Sequence, residues 1–229
     1  IDGSKWFERL YKSSIEITGP EVKKLCQVAK KNNCHVIIGC NERNSKSAGI
    51  IYNTNLIIDN TGKLIGVHRK IVPTWAEKLT WTGGDGSSLK VYDTKVGKLG
   101  TLACGENTNT LARFALLSQG EMVHVANYIS LPVAPEDYDM AEAIKLRASA
   151  HSFEGKLFSI VSCSTISEEI ILTLEEDVPG IRKRLSRKNS AFTGFIGPTG
   201  TLVSEPLIDE EGIVYADIDL NKCIQPKQM

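Results

Sequence analysis

Lys98-Leu-Gly-Thr-Leu-Ala-Cys-Gly-Glu-Asn107 runs a short apolar strand pattern into a cysteine, a glycine and two polar residues, and Leu111-Ala-Arg-Phe-Ala-Leu-Leu117 follows as a helical pattern. A strand handing over to a helix through a short turn is the repeating step of a layered α/β fold. The same handover exposes Cys104 at a rigid edge, near a helix N-terminus whose dipole favours thiolate over thiol. Cysteine is also among the residues most often buried for packing, so position alone leaves a structural thiol open.

Working outward, the segment 20–31 places Val22, Leu25, Cys26 and Ala29 on one helical face, behind Gly19-Pro20 at its start. His35 to Gly39 reads as a buried strand. Ile50 to Asp59 is rich in β-branched residues, and Asn60-Thr-Gly62 turns it toward Lys63 to His68, a hairpin pattern. Further strands are expected at 89–93, 99–104, 122–126 and 157–162, with a long helix over 139–154 that puts Met140, Ile144 and Ala148 on one face. The stretch 174–189, with Glu175-Glu-Asp177 before Arg182-Lys-Arg-Leu-Ser-Arg-Lys188, is expected as a solvated loop. A strand at 191–196 and a last one at 213–218 close the pattern. Strands and helices alternate but hairpins intervene, which argues for a mixed rather than all-parallel α/β fold.

Composition narrows the function classes. Lys plus Arg equals Asp plus Glu at 27 each, so no global field points to nucleic acid or an anionic membrane. No apolar run approaches the ~18 residues of a membrane span. Six scattered cysteines form no CxxC pair, which implies a reducing, cytoplasmic setting. The four histidines (35, 68, 124, 151) show no ligand spacing, so no metal is expected. His35, His124 and His151 fall in apolar or helical patterns and are expected to be packed or surface groups. The chain opens on Ile1 without a methionine and ends soon after a strand pattern, and it is expected to be a fragment of a longer protein.

The second informative string is His68-Arg-Lys-Ile-Val-Pro-Thr-Trp-Ala-Glu-Lys-Leu79. It follows a strand, where a lysine can be held pointing into a pocket. Taken alone, a His-Arg-Lys triplet is an ordinary basic surface feature. Its weight changes in company. Tyr52-Asn-Thr-Asn55, Gly62 to Thr74, Glu77-Lys-Leu79, Gly83-Gly-Asp-Gly86, Gly97-Lys-Leu-Gly100 and Cys104-Gly-Glu-Asn107 occur in that order. Together they resemble the nitrilase superfamily of carbon–nitrogen hydrolases, and within it the nitrilase branch. The resemblance runs from Gly39 to Asp219.

That resemblance implies a four-layer αββα sandwich, with residues 1–229 forming a single carbon–nitrogen hydrolase domain. It also implies no cofactor, and a homo-oligomer as in relatives. Cys104 matches the family's nucleophile, Lys70 its catalytic lysine and Glu77 an auxiliary glutamate. Glu106, Asn127 and Tyr128 are expected to line the substrate site. The family's general base is a glutamate in a Phe-Pro-Glu type motif, and none occurs here. Glu8, Glu16, Glu21 and Glu42 stand in other contexts and are not assigned that role. The N-terminal strand and helix region and a C-terminal tail are therefore expected to be missing. Many nitrilases carry tryptophan after the nucleophile, whereas this chain has Gly105.

The implied reaction takes a nitrile and two waters to a carboxylic acid and ammonia. A nitrile carbon is a modest electrophile and calls for a soft, strong nucleophile such as thiolate. A fixed ammonium can stabilise the charge pushed onto nitrogen. An aliphatic amidase or a cyanide-converting enzyme would use the same groups on a small-molecule amide or cyanide. A non-catalytic paralogue that keeps the fold and only assembles is the alternative from outside enzymes.

Overall fold

In the computed structural model of the chain, residues 3–132, 135 and 137–228 are described. They resolve into two compact units, dividing between Glu121 and Met122.

The first unit begins with helices α1 (Gly3–Ser13) and α2 (Pro20–Lys31). Pro20 sits in the first turn of α2, where its missing N–H costs nothing, and Val22 and Ala29 turn inward one face apart. The strands β1 (Val36–Arg43), β2 (Ile51–Ile58) and β3 (Leu64–Arg69) form an antiparallel sheet in that order. β1 pairs with β2 without slippage from Val36↔Ile58 to Arg43↔Ile51. The β2–β3 turn is built by Asp59, whose carboxylate accepts from the Thr61 and Lys63 amides, and by Gly62 at φ 82°. β2 is buried along nearly its whole length. It packs against α2 and against β5, where Asn55 donates to Thr101 Oγ1 at 2.8 Å.

β4 (Tyr92–Thr94) and β5 (Gly97–Ala103) make a hairpin, with Gly97 at φ 98° in the turn. Helix α3 (Thr110–Leu117) closes the unit. Leu102, Ala112 and Leu116 form a buried cluster against which Leu89 and Val91 pack, so the apolar stretch at 89–91 supports the core while the ladder itself starts at Tyr92. Leu102 is fully buried. Leu102→Ala is expected to cost about 2–5 kcal/mol in urea unfolding, because the cluster cannot collapse into the space left.

In the second unit, β6 (Val123–Ile129) runs parallel to β7 (Phe158–Ser164) through helix α4 (Met140–Gly155), a β-α-β crossover. Asp139 caps α4 by accepting from the Glu142 amide at 2.8 Å. Met140, Ile144 and Ala148 are buried as their spacing requires. Strands β8 (Phe192–Ile196) and β9 (Leu207–Ile208) extend the sheet antiparallel. Asp209 secures the approach to β8, its carboxylate accepting from the amides of Asn189, Ser190 and Ala191.

Three sequence expectations need correction. Gly3–Ser13 is a helix that the sequence reading did not assign. The loop expected at 174–189 is partly helical, with α5 (Glu168–Asp177) running into it and a short α6 (Arg182–Leu185) inside it. Ser167 caps α5, and Arg182 bridges Glu168 and Glu175, while Glu176, Asp177, Lys183, Arg184 and Lys188 are exposed. The strand expected at 213–218 is extended but joins no ladder among the described residues, and Ile213 and Tyr215 face solvent. Among the described residues no helix is long and apolar enough to cross a membrane.

Candidate active site

In the first unit Glu77 lies on one 3₁₀ turn, Cys104 and Glu106 lie on another, and Lys70 follows β3. β5 ends at Ala103, and Cys104 takes a left-handed backbone conformation at φ 49°. A 3₁₀ turn over Cys104–Thr108 follows, closed by Asn107 Nδ2 donating to the Cys104 carbonyl at 3.0 Å and by Thr108 Oγ1 donating to the Gly105 carbonyl at 2.7 Å. Helix α3 starts only after this turn. Its cap is Asn109, whose side-chain oxygen accepts from the Leu111 and Ala112 amides. The thiol thus heads a 3₁₀ turn instead of the α-helix, and helix-dipole help fades beyond the first helical turn.

Lys70 supplies a buried cation. It is 1% exposed, directly after β3. Its backbone is pinned on both sides, donating to the Asn53 carbonyl and accepting from the Gly84 amide, each at 2.8 Å. Nζ lies 2.5 Å from Glu77 Oε2, and the same oxygen accepts from the Thr74 amide. Glu77 sits in the 3₁₀ turn Trp75–Leu79 and keeps partial contact with solvent. A buried ammonium requires such a partner, since an unpaired one would deprotonate.

The two turns touch. At Gly105 a Cβ would come within 2.8 Å of Thr74 Oγ1, so glycine after Cys104 allows this close approach. Beside the contact lies a cavity of about 290 Å³ lined by Val72, Pro73, Trp75 and Asn109 among others. Trp75 and Val72 are largely exposed there.

Glu106 is buried and is among the residues that line this cavity. Its Oε2 lies 2.6 Å from His68 Nε2 and accepts from the Ala103 amide at 3.0 Å, while Oε1 accepts from the Ile71 amide at 2.9 Å. Burial pushes the carboxyl upward, but the His68 ring and the Ile71 and Ala103 amides outweigh it and hold it below its usual range. His68 is itself buried, with Ser88 Oγ 2.9 Å from Nδ1.

Sequence reasoning did not single out a second network. Glu42, at the end of β1, is buried and accepts from Thr54 Oγ1 at 2.8 Å and Arg69 Nε at 2.9 Å, and Arg69 lies over the Tyr52 ring at 4.2 Å. Its carboxylate is already spent, in keeping with its not being assigned as the base. Neighbouring Cys40 is pushed up to about 12, by burial first and by Glu42 second, which leaves it a protonated, unreactive thiol.

In the second unit, Asn127 and Tyr128 stand toward the end of β6, opposite Ser162 and Cys163 of β7; Tyr128 is buried and Asn127 half-buried. His124 and His151 are both buried, their rings 4.4 Å apart edge to face, a proximity their sequence spacing did not disclose.

The chain is similar to known proteins along nearly its whole length. A family model described as carbon–nitrogen hydrolase matches residues 3–228. A nitrilase of Paraburkholderia phymatum is 34% identical over 221 residues, covering 96% of this chain and 62% of that protein. An aliphatic nitrilase of Rhodococcus rhodochrous is 32% identical over 228 residues, covering 98% of this chain and 61% of that protein. The chain thus spans about three-fifths of the length of these relatives. The crystal structure of a carbon–nitrogen hydrolase from Helicobacter pylori superposes with a TM-score of 0.77 at 20% identity, covering 100% of this chain and 75% of that one. The α/β fold is therefore that of the carbon–nitrogen hydrolases, the αββα sandwich class.

Proposed function

The chain belongs to the carbon–nitrogen hydrolase family, and from that premise we propose that it is a nitrilase-type hydrolase acting through Cys104, Lys70 and Glu77. The observation that supports this most is the buried Lys70–Glu77 ion pair, on the turn that packs against the turn bearing Cys104. A buried, charge-balanced lysine is costly to keep for packing alone.

Cys104 attacks the nitrile carbon, forming the Sγ–C bond as one C≡N π bond opens. The developing charge on nitrogen is met by the Lys70 ammonium, whose position Glu77 fixes. Water adds to the thioimidate, ammonia leaves, and a thioester remains. A second water releases the acid and restores the thiol. Relatives draw the base for these water steps from a Phe-Pro-Glu motif that the 229 residues do not contain. General acid–base catalysis of these water steps is worth roughly 10²–10⁴-fold. The expected substrate role of Asn127 and Tyr128 rests on sequence alone.

Intact-mass spectrometry after incubation with a panel of nitriles and amides, with ammonia assayed in parallel, tests this. An adduct on Cys104 is expected with nitriles, while Cys40 stays unmodified. An adduct and ammonia from amides alone would redirect the proposal to an amidase. No adduct with nitrile, amide or cyanide would sink it.

A further inference from the structure

The carboxylate of Glu106 reaches both halves of the proposed catalytic pair. Ile71, whose amide it accepts, is the residue after Lys70, and Ala103, whose amide it also accepts, is the residue before Cys104. His68 completes the set at 2.6 Å, and Ser88 Oγ stands behind the ring at 2.9 Å. We propose that Glu106 is a positioning residue, seated on His68, which ties the backbone beside Lys70 to the backbone beside Cys104 and so sets how strongly the lysine acts on the thiol. The proposal rests on the nitrilase-type reading above.

The chemistry of the clamp is specific to a carboxylate. Three donors converge on two oxygens, so each oxygen must be an acceptor. An isosteric glutamine would turn an NH₂ toward either Ile71 N–H or the pair Ala103 N–H and His68 N–H. Either way donor meets donor and one side of the clamp opens. With Glu106 as acceptor, the Nε2 of His68 carries a proton toward it, and Ser88 Oγ stands at Nδ1. The geometric demand is strict, because a displacement of about 1 Å between reacting groups can cost 10²-fold. An ammonium within ~4–6 Å of an acidic group lowers its pKa by about 1–3 units, and that benefit fades as the two turns separate.

The test measures the rate of Cys104 alkylation by iodoacetamide against pH, by peptide mass mapping, in the wild type and in Glu106→Gln. The wild type should label Cys104 faster than Cys26 or Cys34, with a midpoint below that of an ordinary thiol. Glu106→Gln should move the midpoint up by about one unit or more. A folded Glu106→Gln with an unmoved midpoint would overturn the positioning role. Should Glu106→Gln fail to fold, His68→Gln and His68→Leu decide. Glutamine can still donate to Glu106 and should keep the midpoint near wild type, whereas leucine cannot and should raise it; equal midpoints in the two would overturn the proposal. Wild-type Cys104 labelling no faster than Cys26 and Cys34 would instead overturn the nucleophile reading, and the clamp with it.

Discussion

Cys104→Ala should abolish the covalent adduct and reduce ammonia release to background, while its urea unfolding curve stays within about 0.5 kcal/mol of wild type. Alanine meets the same steric demand at φ 49° as cysteine does, so the turn has no new reason to rearrange. The hydrogen bonds that close the turn run from Asn107 and Thr108 to backbone carbonyls and survive the change. Only the sulfur is lost. Cys40, the thiol nearest to the sheet's polar network, cannot substitute, because burial beside Glu42 keeps it protonated. An adduct that persists in Cys104→Ala, or migrates to another cysteine, would show the chemistry to lie elsewhere.

Lys70→Met and Glu77→Leu should separate activity from stability. Lys70→Met keeps the length of the side chain and leaves Glu77 bonded to the Thr74 amide and partly solvated, so its structural cost should be small. Its adduct rate should fall by about 10²–10³, the usual cost of removing one preorganised donor from a developing charge. Glu77→Leu does the reverse to the fold. It strands an ammonium whose side chain is fully buried, and such half-broken pairs typically lose about 3–5 kcal/mol. The double variant should recover most of that stability, because an apolar pair fills the space without an orphan charge, and should remain inactive. Urea unfolding beside adduct kinetics completes the cycle. Wild-type adduct rates in Lys70→Met would remove the lysine from the mechanism.

The sheet-forming segments were legible because their side-chain period is short-range. Val36–Arg43, Ile51–Ile58 and Leu64–Arg69 needed only β-branched residues and the Asn60-Thr-Gly62 turn. Period alone misled at 213–218, where alternation is present but no strand pairs with it among the described residues. At Glu168–Asp177 the acidic run drew attention from its cap at Ser167, the one local helix signal there. Helix Gly3–Ser13 buries none of its residues, yet Phe7 and Tyr11 stack one turn apart at 6.4 Å, a spacing that could have revealed it.

Within the proposed site, Cys104 and Lys70 are assigned from ordered motifs, because each motif is contiguous. The use of Glu106 could not. Its partners His68 and Ile71 lie 38 and 35 residues away, and only the packing of one turn on another makes them neighbours. The Glu42–Arg69 pair is hidden for the same reason, its members being 27 residues apart.

The left-handed backbone at Cys104 sets folding and chemistry at odds at a single position. A non-glycine residue held there costs about 1–3 kcal/mol, and glycine would be relieved of most of it. A library randomised at this codon and sorted for expression or heat resistance, with no readout of turnover, should therefore enrich glycine. Sorted for catalysis, it should return cysteine. The gap between those two outcomes measures how strongly selection for activity has held this loop against the preference of its own backbone.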